Sequence, residues 1–370
     1  MNRVKICQVS SVHPSTDTRV FFKECKALAE AGYNVVLIAR DKGSARTESG
    51  VKIVPFHLYT NRFKRMLFSP FRMLRMALKE KAAIYHFHDP ELIFVGLMLK
   101  LFGKKVIYDV HEDVPKQIMG KSYIRSLLFR RVLSSVVKTV EKTAALFFDR
   151  IITATGDIAL HFNPLKTTVV RNLPVLQLMA APAALDIVKE KPAIVYVGVL
   201  SRIRGLVEIV QAMEYVGPKA ELWLVGSWER DELYEECRKL KGWQYVRFFG
   251  PKPQKEAYTY MRNADIGIVN FHPLPNHVNA LPNKIFEYMA LALPLVLSNF
   301  PSWVETFADY AVFADPYDPK DIADKISTLL ENRDLRTEKG RKGKKSIDSG
   351  YSWEHEKNVL LHLYRDMTGK

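Results

Sequence analysis

Cysteine is scarce in this chain: Cys7, Cys25 and Cys237 are the only three in 370 residues. Odd in number, far apart and set in strand-like or helix-like contexts, they exclude a disulfide framework and point to a reducing compartment. None pairs at metal-ligand spacing. Long apolar runs are missing too, with nothing near the roughly 20 residues that span a bilayer. The sequence opens on an apolar strand, VKICQVS, so the expectation is a protein that is neither integral nor exported by a classical signal. Low-complexity segments and solenoid repeats are likewise lacking. Acidic residues run short in one half alone: residues 1–180 carry 29 Lys and Arg against 14 Asp and Glu, while residues 181–370 carry 26 of each. The net charge of +15 therefore belongs to the first half. It calls for an anionic partner there: a membrane surface, a nucleic acid or a phosphorylated acceptor.

What is present is an alternation of short β-branched runs with helix-length amphipathic segments, the pattern of parallel sheets covered by helices. The chain is too long for one core, so two domains are expected. Strand-like runs in the first half are Val4 to Ser10, Asn34 to Ala39, Val51 to Phe56, Ile84 to His88, Lys105 to Val110, Arg150 to Ala154 and Thr168 to Arg171. The segment LPVLQLMAAPAALDIVKEKP holds three prolines and no sustained period, and reads as a linker. A second series follows with AIVYVGV, ELWLVG, VRFFG, IGIVNF and LPLVLS. The fold class is α/β, with two Rossmann-like domains facing across a cleft and ligands at the carboxyl ends of the strands. Boundaries are placed at 1–175, a linker at 176–192, 193–350 for the second domain and 351–370 for a terminal helix.

Two segments of the second half carry chemistry. NALPNKIFEYMALALPLVLS, Asn279 to Ser298, combines a Pro-marked helix start, a helix with Glu287 amid apolar residues, and a Pro-opened strand. Its first residues, Asn283 and Lys284, put unpaired backbone N–H groups and a cation where an anion can dock. GVLSRIRG, Gly198 to Gly205, follows a strand and precedes a helix, with Arg202 and Arg204 suited to phosphate. Together these segments resemble the family 4 retaining glycosyltransferases, whose signature is two glutamates separated by seven residues ahead of such a helix and strand. The resemblance implies that Glu287 grips the donor ribose. Asn279 stands where the first glutamate would be, and can hydrogen-bond but supplies no charge. It also implies a phosphate loop at Gly198, in which Arg204 takes the place of the family's lysine. Val199 occupies the arginine position, so Arg202 is expected to supply the second cation.

In the first half, HFHDPEL (His86 to Leu92) and IYDVHEDVP (Ile107 to Pro115) place histidines at strand ends. The second resembles the family's strand-terminal histidine that reaches the donor sugar, a role that maps to His111. His86 and His88 share one strand face; either is a core histidine or an acceptor contact, with His88 the candidate. A metal at His111 with Glu112 and Asp113 is disfavoured, because adjacent residues of an extended strand point apart. The loop SSVHPSTDTRV (Ser10 to Val20) sits where the family has a glycine-rich loop but has no glycine; Asp17 and Arg19 either steady it or touch substrate.

Two segments hold the basic excess: Asn61 to Lys81 with Arg62, Lys64, Arg65, Arg72 and Arg75, and Gly120 to Lys142 with Arg125, Arg130 and Arg131. Both interleave cations with Phe, Leu and Met, as does a helix lying in a membrane interface, although part of each apolar face is expected to pack on the sheet. The reading is a cytoplasmic, peripheral enzyme at the inner face of the membrane. It would transfer a sugar from a nucleotide-diphosphate sugar to a lipid-linked glycan acceptor in cell-surface polysaccharide synthesis, with no metal or other cofactor and no nucleic-acid partner. Retention is implied by the resemblance, since no carboxylate pair at glycosidase spacing can be argued. The alternatives are a nucleotide-sugar epimerase of the same fold and a basic nucleic-acid-binding protein, although no known nucleic-acid reading element stands out. The terminal helix from Ser352 resembles the family's last helix, which crosses back to the first domain.

Overall fold

The computed structural model describes residues 3–57, 62–121, 124, 126–180, 185 and 187–369, with the backbone alone over 62–67. The chain divides into two compact units: Met1–Asn172 with Trp353–Lys370, and Leu173–Ser352.

The first unit holds β1 (Lys5–Pro14), β2 (Asn34–Arg40), β3 (Arg46–Glu48), β4 (Val51–Phe56), β5 (Ile84–Phe87), β6 (Lys105–Val110), β7 (Arg150–Thr153) and β8 (Thr167–Val169). They pair in the order β3-β4-β2-β1-β5-β6-β7-β8. All pairs are parallel except the antiparallel β3–β4 edge, a three-residue strand too short to leave a periodic signal in the sequence. Strand order reverses between β1 and β5, and the segments that follow these two strands come from the same end of the sheet. The helix Trp353–Thr368 belongs to this unit and buries Trp353, Leu360, Leu361, Leu363 and Tyr364. It is pinned by Glu356, which accepts from the Arg171 backbone N–H at 2.7 Å and from its guanidinium at 2.6 Å.

The second unit holds β9 (Ala193–Val197), β10 (Glu221–Val225), β11 (Val246–Gly250), β12 (Ile266–Val269), β13 (Leu295–Ser298) and β14 (Ala311–Ala314), wholly parallel in the order β11-β10-β9-β12-β13-β14. Its strands read as continuous apolar runs because both faces are covered. Val195, Trp223, Val269 and Leu297 point to one core, and Ile194, Leu222, Ile268 and Val296 to the other. Full burial of each such side chain contributes about 1.5–3 kcal/mol. Here the reversal lies between β9 and β12, which brings the loop at Gly198 beside the loop at Asn270. β14 was not expected from the sequence, and the stretch read as a linker contains the helix Leu176–Ala180.

Candidate active site

In the second unit, β9 is followed by Gly198 in a left-handed conformation (φ 128°), and the chain passes through a 3-10 turn, Arg202–Arg204, to Gly205 (φ 65°) and the helix Leu206–Val216. A side chain at Gly205 would collide with the Asn270 backbone, since its Cβ would lie 2.2 Å from that carbonyl oxygen. Glycine is required there both for the backbone and for the contact between the two loops. At Gly198 a Cβ would stand 2.7 Å from Lys284 Nζ and 3.6 Å from an Arg204 guanidinium nitrogen. Two cations therefore converge on one glycine.

Lys284 leaves the first turn of the helix Asn283–Ala290 and is largely enclosed, with its ammonium 4.2 Å from the Tyr196 ring centroid and donating to the Tyr196 hydroxyl at 3.1 Å. Burial, and then the neighbouring Arg204, push the lysine well below its usual pKa, while Glu287 one turn on works the other way. Arg204 donates to the Val199 carbonyl at 3.3 Å and lies over the Phe271 ring. The expected second cation, Arg202, is elsewhere: it pairs with Glu236 at the exposed surface. The cation beside Gly198 in place of an arginine at 199 is Lys284, because the reversal in strand order sets the β9 loop against the Asn283 helix. Glu287 accepts from the Tyr258 hydroxyl at 3.1 Å, and that hydroxyl accepts from Gln254 at 2.6 Å. Asn283 opens its helix with Pro282 as cap, and Asn279 is exposed in the preceding turn.

In the first unit the strand ends are closed by charge. Asp89, after β5, accepts from the Ser11 backbone N–H at 2.6 Å and the Ser10 hydroxyl at 2.9 Å, and so organises the glycine-free loop with a carboxylate. Asp17 caps the next helical segment, accepting from the Arg19 and Val20 N–H groups at 2.8 and 2.9 Å. Burial opposes charge on Asp17, yet bonds from His13 and the Val20 backbone bring it down to about 2. Arg19 is buried and ion-paired to Asp109 at 2.9 Å and Glu24 at 3.0 Å. His111, at the end of β6, puts Nε2 2.9 Å from Asp109 and 3.1 Å from His88 Nδ1. His86 stacks on His88 and meets the Tyr364 hydroxyl at 2.7 Å.

Glu24, His86, His88 and Asp109 could offer a metal four ligand atoms within 4.8 Å of one another. Arg19 already gives the two carboxylates their counter-charge, so a second cation would meet it at contact distance.

Residues 18–167 match the family Glycosyltransferase Family 4, and residues 180–346 match Glycosyl transferases group 1. The chain belongs to the family 4, group 1 glycosyltransferases. This family 4 chain is 23% identical to the capsular polysaccharide biosynthesis glycosyltransferase CapM of Staphylococcus aureus, over 47% of either protein. It is 27% identical to the lipopolysaccharide core biosynthesis glycosyltransferase LpsD of Rhizobium meliloti, over 46% of this chain and 48% of that one. It thus spans about half the length of the curated relatives it matches. In fold it is similar to sucrose-phosphate synthase from Thermosynechococcus elongatus, with TM-score 0.78, 19% identity and 99% and 100% of the two chains covered. It is also similar to Anabaena Alr3699/HepE solved with UDP-glucose, with TM-score 0.76, 14% identity and 98% and 100% covered.

Of the basic residues singled out in the sequence, Arg125 lies outside the described residues, and Arg62, Lys64 and Arg65 fall where only the backbone of the helix Arg62–Lys79 is described. Arg72 bonds the His57 carbonyl at 3.2 Å, and Arg75 is exposed. Arg130 bonds the Ile124 and Met119 carbonyls, whereas Arg131 is exposed. Around Arg131 the helix Leu127–Ala145 leaves Leu128, Val132, Val136 and Val140 in solvent, with Leu128 72% exposed. Their spacing of four makes one apolar stripe, and Arg131, Lys138 and Lys142 are exposed on the same helix. Among the described residues no helix is long and apolar enough to cross a membrane. Sequence reasoning passed over Asp109, Glu24 and Tyr258. For Asp109 the signal was there, since a strand places residues two apart on one face and Asp109 precedes His111 by two.

Proposed function

We propose that this chain transfers a sugar, with retention, from a nucleotide-diphosphate sugar to a lipid-linked glycan acceptor in cell-surface polysaccharide synthesis, working as a peripheral enzyme on an anionic, cytoplasmic membrane face. The observation that carries the reading is the convergence of Arg204 and Lys284 on Gly198 at the strand reversal of the second unit. Two cations on a glycine can neutralise the charge that grows on a diphosphate as the glycosidic bond breaks. Glu287, steadied by Tyr258, takes the nucleotide ribose; Asn283 and Asn279 add polar contacts; His111 in the first unit binds the sugar. Nucleotide binding belongs to the second unit and acceptor binding to the first. CapM and LpsD support the choice of a surface glycan, and the UDP-glucose bound to HepE supports a uridine diphosphate donor. The apolar stripe of the helix Leu127–Ala145, beside exposed cations, supports contact with lipid.

The test is a thermal-shift series with nucleoside diphosphates, followed by turnover on candidate sugar nucleotides with and without chelator. A ligand that binds only the native state raises its stability by RT ln(1 + [L]/Kd). No shift with any nucleoside diphosphate would remove the donor assignment. Loss of turnover in chelator, restored by magnesium or manganese, would replace the two side-chain cations with a metal.

A further inference from the structure

The mechanism proposed above uses one histidine of the first unit, but that histidine is the outermost member of a buried set. Asp109 and His111 lie two residues apart at the end of β6, so strand alternation turns both side chains to the same face. Asp109 Oδ2 is 2.9 Å from His111 Nε2. The other side of that carboxylate is occupied by Arg19, whose Nε and Nη2 donate to Oδ2 and Oδ1 at 3.1 and 2.9 Å. A carboxylate gripped by a guanidinium is an acceptor only, so the proton between Asp109 and His111 stands on the imidazole at Nε2. Burial disfavours charge on Asp109, but Arg19 and His111 outweigh it and keep this acid ionised, while burial and then the charge of Asp109 push Glu24 the other way.

His88 closes on the same nitrogen from the end of β5. Its Nε2 is 2.7 Å from Gln8 Oε1, and Nδ1 is 3.4 Å from Asp109 Oδ2; the shorter contact to the amide oxygen puts the His88 proton on Nε2 and a lone pair on Nδ1. That Nδ1 is 3.1 Å from His111 Nε2. Both neighbours of His111 Nε2 are therefore acceptors, and each comes from a different strand end. The ring of His111 keeps 13% of its surface in solvent, whereas Asp109 and His88 keep none. What His111 retains for a substrate is Nδ1 with a lone pair.

We infer that Asp109, clamped by Arg19 and helped by His88, is a positioning residue that locks His111 with its proton on Nε2, so that Nδ1 accepts a hydrogen bond from a sugar hydroxyl. The inference rests on the glycosyltransferase reading for the hydroxyl, but the tautomer itself does not. A histidine with the opposite tautomer would present N–H, and the same hydroxyl would then have to accept, with its own proton directed elsewhere.

The experiment is a long-range proton–nitrogen correlation on the full chain labelled with 15N-histidine, with His111 assigned by comparison with His111→Gln. The expected result is a protonated Nε2 and an unprotonated Nδ1 on His111 in the unmodified protein. Protonation at Nδ1, or an average of the two tautomers, overturns the inference whatever Asp109→Asn shows. In Asp109→Asn the amide can turn its NH2 toward the ring, so the proton is expected on Nδ1, with turnover lower by about 10- to 100-fold as one aligned hydrogen bond is lost. Nucleoside diphosphate affinity in that variant should stay unchanged. A folded Asp109→Asn enzyme with a switched tautomer and full turnover overturns the role given to the tautomer. His88→Gln, which keeps an acceptor in reach, is expected to retain the Nε2 tautomer; loss of it there would shift the positioning role to His88. If no nucleoside diphosphate binds while His111 shows the Nε2 tautomer, the donor reading fails and the tautomer assignment stands.

Discussion

Both units build their chemistry at a reversal of strand order, yet the two sites are opposite in charge economy. In the first, Arg19 is matched by Asp109 and Glu24, histidines fill the remaining space, and the set is closed to solvent apart from His111 and His13. In the second, Lys284 and Arg204 crowd one glycine, and among the described residues Glu287 is the acid that bears on the lysine. A self-neutralised set can hold a side chain in place before substrate arrives. A pair of like charges is held apart from its best state until an anion comes between them. On the function proposed, the first set suits positioning and the second suits anion capture.

The largest effect is expected from breaking the balance of the first unit. Arg19→Met leaves buried carboxylates without a counter-charge, and removal of one partner from a buried pair costs about 3–5 kcal/mol. Urea unfolding followed by circular dichroism should register it as a lower midpoint; an unchanged midpoint would mean that Arg19 is not the counter-ion. Next comes the second unit, where Arg204→Ala should leave folding nearly intact but lower turnover by about 100- to 1000-fold, as loss of one preorganised donor to a developing anion does. Arg202→Ala is the contrast, because an exposed pair such as Arg202–Glu236 is worth at most about 1 kcal/mol. Equal losses in both variants would return the second cation to Arg202.

A smaller effect sharpens the difference through protons. Lys284 sits well below the usual lysine value in the free protein, through burial first and Arg204 second. Between that lowered value and the ordinary one the unfolded chain binds more protons than the native one, so this group makes stability rise with pH across the window. A bound diphosphate reverses the preference and favours the ammonium. Nucleoside diphosphate binding should therefore take up protons and weaken as pH rises through the same window, read by calorimetry in two buffers of different ionisation enthalpy. Lys284→Met should abolish the uptake; uptake that persists in this variant would assign the proton to another group.

The smallest effect per residue lies at the exposed apolar stripe of the helix Leu127–Ala145. Replacing Arg131, Lys138 and Lys142 with Gln should weaken binding to anionic vesicles by about 1 kcal/mol for each cation near the surface, with nucleotide binding unaltered. Replacing Val132 and Val136 with Ser should weaken binding to vesicles further, and that loss should persist at high salt. Equal binding to neutral and anionic vesicles would separate the stripe from the charge.

Local order in the chain was enough to determine a good deal. Apolar runs alternating with helical periods are a property of neighbours in sequence, and they mark the parallel sheets, the loop Gly198 to Gly205 and the helix that carries Glu287. The same holds for His111 at a strand end. Edge strands such as Arg46–Glu48 and Ala311–Ala314 escaped, because three or four residues hold too little periodicity to distinguish a strand from a loop.

Only the tertiary structure decided which charges meet. Lys284 and not Arg202 stands beside Gly198, because sheet order, which no local pattern encodes, brings the Asn283 helix against the β9 loop. Arg19, Glu24, His88, Asp109 and Tyr364 become one set only when β1, β5 and β6 lie side by side and the last helix of the chain packs on their unit. The apolar residues of the helix Leu127–Ala145 give the same sequence signal whether they are buried or exposed, and solvent exposure is decided by what packs on them. Residue type and spacing select the chemistry available, while long-range packing sets the distances, angles and burial on which Coulombic and hydrogen-bond energies depend.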